Sequence, residues 1–197
     1  MAQPQTRTSH GLEQFFSSIQ DEENLSLLDF AGASQANVSF ITSLGHRIYS
    51  NDILRSLDEA FGGAANFTAN QADPARAALF LEESLAFPDQ SFDGALVWDT
   101  LQFLVPPLLE QSVERLFQVL RPKSSLLAFF HSEEKLDSAP LYSYRILGPK
   151  TMSLTPRGER RPAQYFNNRN LEKLFQKFQS VKFFLTRDHL REVIVRR

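Results

Sequence analysis

Several apolar runs in this chain close on a group that can hold a charge or move a proton. Asp29 follows Leu25-Ser26-Leu27-Leu28, and Asp52 follows Ile48-Tyr49-Ser50-Asn51. Asp99 follows Phe92-Asp93-Gly94-Ala95-Leu96-Val97-Trp98, and His131 ends the run from Ser125. A polar group at the carboxyl end of a buried strand stands where the ligands of open α/β sheets collect. An acid ending the second strand can accept from a ribose diol, which is the chemistry open to Asp52. The same carboxylate can cap a helix from Ile53 onward, and the two roles are compatible. Asp99 reads as a general base at the rim of the sheet or as a helix cap. His131 titrates near neutrality and can serve as a base, although a surface histidine is the commoner case. Ala31-Gly32-Ala33, just after Asp29, is small enough for the backbone to approach a ligand closely.

These groups need elements to position them. Residues 25–52 read as strand, tight turn, helix, strand and acid. Ser34 is the candidate N-cap, Val38, Phe40, Ile41 and Leu44 share one helical face, and Gly45 suits the position after the helix. A strand–helix–strand unit of this kind crosses over right-handed and leaves a crevice at its carboxyl ends. Leu12, Phe15, Phe16 and Ile19 predict an earlier helix, and Ile53 to Phe61 a later one closed by Gly62-Gly63. Residues 64–84 are ambiguous. Asp73 before Pro74 favours a helix through Glu83, whereas a doubly wound sheet would want a strand near Ala78–Leu81. Pro106-Pro107 opens a helix, Arg121-Pro122-Lys123 reads as a turn, and Asn170 as the cap of another helix. Val181–Thr186 and Leu190–Arg196 read as a closing hairpin. Residues 1–8 are expected to be disordered. Residues 132–168 carry four prolines and no periodicity, and so read as a structureless, lid-like insertion. Its arginines, such as Arg145, Arg157 and Arg161, could clamp an acidic substrate or be a solvated face. Tyr142, Tyr144 and Tyr165 could line an acceptor pocket or pack a lid.

Composition narrows the classes. The 197 residues are 42% hydrophobic and 22% charged. That predicts a single domain over 1–197 with a sizeable core. A net charge of −2 gives no basic field for nucleic acid, and no basic amphipathic run points to a membrane. The absence of cysteine excludes disulfides, zinc–thiolate sites and cysteine nucleophiles, and no metal site is expected. Met1–Ser9 is too polar for a signal peptide. No apolar run reaches the roughly 18 residues of a membrane span. The expectation is a soluble cytoplasmic protein.

Three passages, in this order, resemble the class I S-adenosylmethionine-dependent methyltransferases, most closely those of type 11. Leu28-Asp29-Phe30-Ala31-Gly32-Ala33-Ser34-Gln35 is similar to that family's Leu-Asp-x-Gly-x-Gly-x-Gly turn. Leu85-Ala86-Phe87-Pro88-Asp89-Gln90-Ser91-Phe92-Asp93 is similar to its Leu-Pro-Phe-Pro-Asp-x-x-Phe-Asp passage. Leu116 to Lys123 resembles the helix end and Leu-Lys-Pro-Gly-Gly turn before its fifth strand. The resemblance covers about residues 25–196. It implies an α/β, three-layer Rossmann-like fold with a mostly parallel sheet and a C-terminal antiparallel hairpin. It also implies S-adenosylmethionine as cofactor. Asp29, Ala31, Gly32 and Ala33 would border the methionine moiety, Asp52 would hold the ribose, and Trp98 and Asp99 would face the methyl donor. The family's acid before the second passage falls on Leu81, and Glu83 beside it is the nearby cofactor-side candidate. The family's glycines fall on Ala31, Ala33 and Gln35, so Gln35 is expected to project toward the cofactor or to force a different turn. The implied function is methyl transfer to a small-molecule acceptor. The alternative is a catalytically inactive binding or regulatory module. Nicotinamide binding is the poorer reading, because Gly-x-Gly-x-x-Gly is absent.

Overall fold

The apolar runs that end at Asp29 and just before Asp99 are strands buried on both faces, as central strands of α/β sheets are. The computed structural model of the chain describes residues 3–63, 65–133 and 137–197. In chain order these form β1 (Gln5–Thr8), α1 (His10–Ser17), β2 (Ser26–Asp29), α2 (Gln35–Ser43), β3 (Arg47–Ser50) and α3 (Ile53–Phe61). Then come α4 (Phe67–Gln71), α5 (Pro74–Leu85), β4 (Phe92–Trp98), a 3-10 turn (Thr100–Phe103), α6 (Pro106–Val119) and β5 (Leu120–His131). The chain closes with β6 (Ala139–Gly148), β7 (Thr151–Arg160), α7 (Asn168–Leu174), β8 (Ser180–Leu185) and β9 (Leu190–Arg196).

Six strands make the main sheet in the order β3-β2-β4-β5-β9-β8. The pairs β2–β3, β2–β4 and β4–β5 are parallel, and β5–β9 and β9–β8 antiparallel. The α/β class, the mostly parallel sheet and the closing hairpin are as expected: three of the five strand pairs are parallel, and the hairpin makes the sheet mixed. Residues 78–81 add no strand. Asp73 Oδ1 accepts from the amides of Ala75 and Arg76 at 2.9 and 3.4 Å. That N-cap holds the stretch in α5. The sheet therefore ends at β3, and a short, solvated edge of this kind resists pairing with other chains. Helix α1 buries Leu12, Phe15 and Phe16, with Ile19 just beyond it.

Four local expectations are corrected. Part of 1–8 is ordered, because β1 pairs antiparallel with β7 over Gln5–Thr8. Buried Glu192 ties that strand down by accepting from Arg7 at 3.2 Å, Ser9 Oγ at 2.9 Å and the Gly11 amide at 2.6 Å. Met1 and Ala2 lie outside the described residues. The stretch 132–168 is not structureless. It holds the ten-residue strands β6 and β7, which join β1 in a three-stranded antiparallel sheet, while residues 134–136 lie outside the described residues. Pro156 sits opposite Tyr142 at a register shift, where a missing amide donor is tolerated. Arg121-Pro122-Lys123 is not a separate turn. It lies within β5, with Lys123 at φ 72° absorbing the irregularity. Asn167, not Asn170, caps α7: its Oδ1 accepts from the Asn170 amide at 2.8 Å.

Candidate active site

The turn after β2 is built against the segment after β3. Asn51 donates its amide to the Asp29 carbonyl at 2.8 Å, and Gly32 donates to the Asn51 carbonyl at 3.3 Å. Ala31 and Asp52 form a bridge between the two segments. Gly32 has φ +78°, and a Cβ there would stand 3.0 Å from the Asp52 Cβ. Glycine is therefore required on two counts, the backbone conformation and the contact. Helix α2 then runs from Gln35 and ends in a Schellman motif. Gly45, at φ +81°, donates to the Thr42 carbonyl at 3.0 Å, and His46 donates to the Ile41 carbonyl at 3.3 Å.

Asp29 is fully buried. Its Oδ1 accepts from the Ala31 amide at 3.0 Å and from the indole Nε1 of Trp98 at 2.6 Å. Its Oδ2 accepts from Asn37 Nδ2 at 2.8 Å. Burial raises its pKa, and the bonds from Trp98, Asn37 and Ala31 pull the other way. Asn37 is a residue the sequence reading missed. Besides Asp29 it donates to the Tyr144 carbonyl at 3.3 Å and accepts from the Ile146 amide at 2.8 Å, which fastens α2 to β6.

Trp98 has φ 56° and bends the chain sharply at the end of β4. Such a conformation is uncommon for a bulky residue. Its buried ring stacks on Tyr144 at 4.7 Å and 10°. Asp99 is fully buried, and burial pushes its carboxyl up to about 7. The Tyr144 hydroxyl is its neighbour, but the pair does not meet hydrogen-bonding geometry. Both Asp99 oxygens and the Tyr144 hydroxyl therefore lack a partner among the described residues. Burial and the adjacent Asp99 raise the Tyr144 phenol well above its ordinary value.

Asp52 caps α3 by accepting from the Arg55 amide at 3.2 Å. Arg157, on β7, reaches its two oxygens at 3.3 and 3.1 Å. Nearby, Arg160 pairs with Asp58 and lies 4.1 Å over the Phe67 ring. The β6–β7 hairpin thus covers the carboxyl ends of β2, β3 and β4. The principal cavities among the described residues lie elsewhere. One of about 490 Å³ sits between α6 and α7, and another of about 430 Å³ sits beside His131.

Asp29, Ala31, Gly32, Asp52 and Trp98 are brought together. Ala33 is exposed at the turn, and Gln35 is exposed too. Gln35 donates to Ser39 Oγ at 3.0 Å instead of projecting into the crevice, so the first of its two expected alternatives is corrected. Its position as the first residue of α2 turns it along the helix surface. Glu83 is exposed on α5, and no hydrogen bond or ion pair joins it to the other candidates among the described residues. His131 engages the buried Gln102, whose Oε1 accepts from the His131 amide and faces its Nδ1, both at 3.0 Å. Burial lowers the His131 pKa, while Glu133 and Asp188 act to raise it.

No protein-family model and no curated protein matches the sequence. Among solved structures, the chain is similar to a SAM-dependent methyltransferase from Archaeoglobus fulgidus, with 11% identity and a TM-score of 0.54 over 94% of this chain and 91% of that one. It is also similar to the 1,6-didemethyltoxoflavin-N1-methyltransferase of Burkholderia thailandensis, solved with 1,6-didemethyltoxoflavin and S-adenosylhomocysteine bound. There the identity is 12% and the TM-score 0.51, over 95% of this chain and 76% of that one. The cyclase SpnF matches as well, at 13% identity and TM-score 0.51 over 93% of this chain and 78% of its own. By its likeness to these structures, the chain has the class I S-adenosylmethionine-dependent methyltransferase fold.

Proposed function

We propose that this chain binds S-adenosylmethionine at the carboxyl ends of β2, β3 and β4 and transfers its methyl group to a small-molecule acceptor, in the manner of a type 11-like enzyme. The observation that best supports the reading is the convergence of Asp29, Gly32 and Asp52 through the Ala31–Asp52 bridge. The residues fit the donor in kind. Asp52 offers two acceptor oxygens for a diol, and Asp99 keeps two buried oxygens without a partner among the described residues. Hairpin side chains stand on this crevice, so binding requires them to move. The reading therefore includes the β6–β7 hairpin as a lid.

Magnitudes indicate which contact holds the lid. The Arg157–Asp52 pair is partly exposed on both sides, at 36% and 30%. After solvent screening such a pair is worth roughly 0–1 kcal/mol. The Tyr144–Trp98 stack adds about 0.5–1.5 kcal/mol beyond its burial, and each Asn37 bond about 1 kcal/mol. Tyr144 and Asn37 hold the hairpin down, and Arg157 is a weaker latch.

S-adenosylmethionine, when bound, supplies a methyl group on a sulfonium whose leaving group is already in place. The chain's task is alignment and exclusion of water. Asp52 would hold the ribose hydroxyls with its two oxygens, which Arg157 occupies in the closed hairpin. Asp29 fixes the Ala31 amide and the Trp98 indole in position. Asp99, poised near neutrality, and His131 are the groups able to take a proton from an acceptor.

Calorimetric titration with S-adenosylhomocysteine tests the reading. Losing a charge-assisted hydrogen bond costs roughly 1.5–3 kcal/mol, so Asp52→Ala should weaken binding about ten- to a hundredfold. Equal affinity in both proteins would contradict the role of Asp52. No binding by the wild type at millimolar ligand would favour the catalytically inactive module.

A further inference from the structure

The cavity of about 430 Å³ beside β5 is lined by Thr68, Gln102, His131, Glu133, Arg161 and Tyr165, among others. Its floor is set by a buried amide. Gln102 is 1% exposed, and its backbone carbonyl accepts from the Ala163 amide at 2.9 Å, which pins the 3-10 turn to the segment after β7. Its side-chain oxygen accepts from the His131 amide at 3.0 Å and faces His131 Nδ1 at the same distance. Because an amide oxygen can only accept, Nδ1 must carry the hydrogen. A neutral His131 is thereby held in one tautomer, with the Nε2 lone pair unprotonated, and burial favours that neutral form. No hydrogen bond engages Nε2 among the described residues. Gln102 Nε2 is likewise buried there without a partner. Arg161 is exposed, forms no ion pair among the described residues, and supplies the cavity's cation.

We propose that this cavity is a binding site for a small carboxylate that also carries a hydroxyl or amine. The carboxylate sits on Arg161, and the O–H or N–H donates to His131 Nε2. Arginine suits the first contact because its planar fork pairs with a carboxylate through two parallel bonds. The locked imidazole suits the second because it presents an acceptor and no donor on that side. Tyr165 and Thr68 add hydroxyls for the remaining polar atoms of the ligand. The site shares His131 with the proposed function, where it is a candidate base, but it uses none of Asp29, Asp52 or Trp98, and its occupancy is read without any S-adenosyl ligand.

The test is long-range ¹H–¹⁵N correlation of the histidine rings, with 4-hydroxybenzoate and 4-aminobenzoate as probes. His131 resonances are assigned with His131→Asn. In the free protein His131 should show the Nδ1–H tautomer, and Gln102→Leu should abolish that preference. Either probe should shift His131 Nε2 and leave His10 and His46 unmoved. Methyl 4-hydroxybenzoate, which lacks the charge, and 4-methoxybenzoate, which lacks the donor, should each bind at least tenfold more weakly. Arg161→Ala should weaken the carboxylate probes about ten- to a hundredfold and leave the ester unchanged. The proposal is overturned if His131 is found in the Nε2–H tautomer. It is overturned equally if both carboxylate probes leave His131 unmoved at ten millimolar, or if the ester binds as well as the acid.

Discussion

Asp99 is buried at a cost to the folded state. Buried without a hydrogen-bond partner among the described residues, it holds a proton up to about pH 7 in the folded chain, whereas the unfolded chain loses it near 3.8. Between roughly pH 4 and pH 7 the folded state therefore binds the extra proton, and stability falls as pH rises through that window. The full cost above the window is on the order of 4 kcal/mol at most. Asp99→Asn should be the more stable protein at pH 8 and should flatten that slope, as read from urea midpoints at several pH values. A wild type whose stability rises from pH 4 to 7 by the same amount as the variant's would contradict this account. At the residue scale, the acids were legible in the sequence because each ends an apolar run. Their partners were not. Asn37 meets Ile146 across 109 positions, and Gln102 meets His131 across 29, separations that carry no local periodicity. Gln35 misled because the turn was matched to a glycine pattern, whereas the chain enters α2 one residue after Ser34 and turns that side chain to solvent.

The hairpin and the strand that flanks it decide what the crevice can do. Prolines at 140 and 156 and weak alternation hid β6 and β7 from a reading based on period two, since their buried positions are irregular. β1 was hidden for a different reason: it is held by Glu192, which lies 185 positions from Arg7. Removing that carboxylate leaves Ser9 Oγ and the Gly11 amide without their acceptor and Arg7 with Asp188 alone, at 2.7 Å. Breaking a buried pair costs about 3–5 kcal/mol, so Glu192→Ala should destabilise by roughly that amount in chemical denaturation. It should also speed amide exchange at Met152 and Leu154, which face β1. Exchange in β7 unchanged from the wild type would show that β1 is not the support described here. Closer to the crevice, Tyr144→Leu keeps apolar volume but removes the stack and the hydroxyl. It should speed exchange across 139–148 more than Arg157→Ala does, because the latch is the weaker contact.

The whole molecule is a mixed sheet that ends early on one side and carries a small second sheet over its carboxyl end. The closing hairpin was readable from two β-rich runs around Arg187-Asp188-His189, and α5 from Asp73-Pro74. Residues 132–168 read as a lid-like insertion, but that it is an antiparallel hairpin, and where it packs, was not readable. On the proposed reading, a donor enters only during the fraction of time that the hairpin is displaced, and its apparent affinity is reduced by that fraction. Loosening the cover without touching the residues beneath it should therefore raise affinity. The direct measurement is calorimetric titration of S-adenosylhomocysteine into the wild type and Arg157→Ala. The account predicts binding to both, tighter to Arg157→Ala by about two- to fivefold, the share that a partly exposed ion pair can supply. Weaker binding to Arg157→Ala would make Arg157 a ligand contact rather than a latch, and no binding to either protein at millimolar concentration would contradict the account.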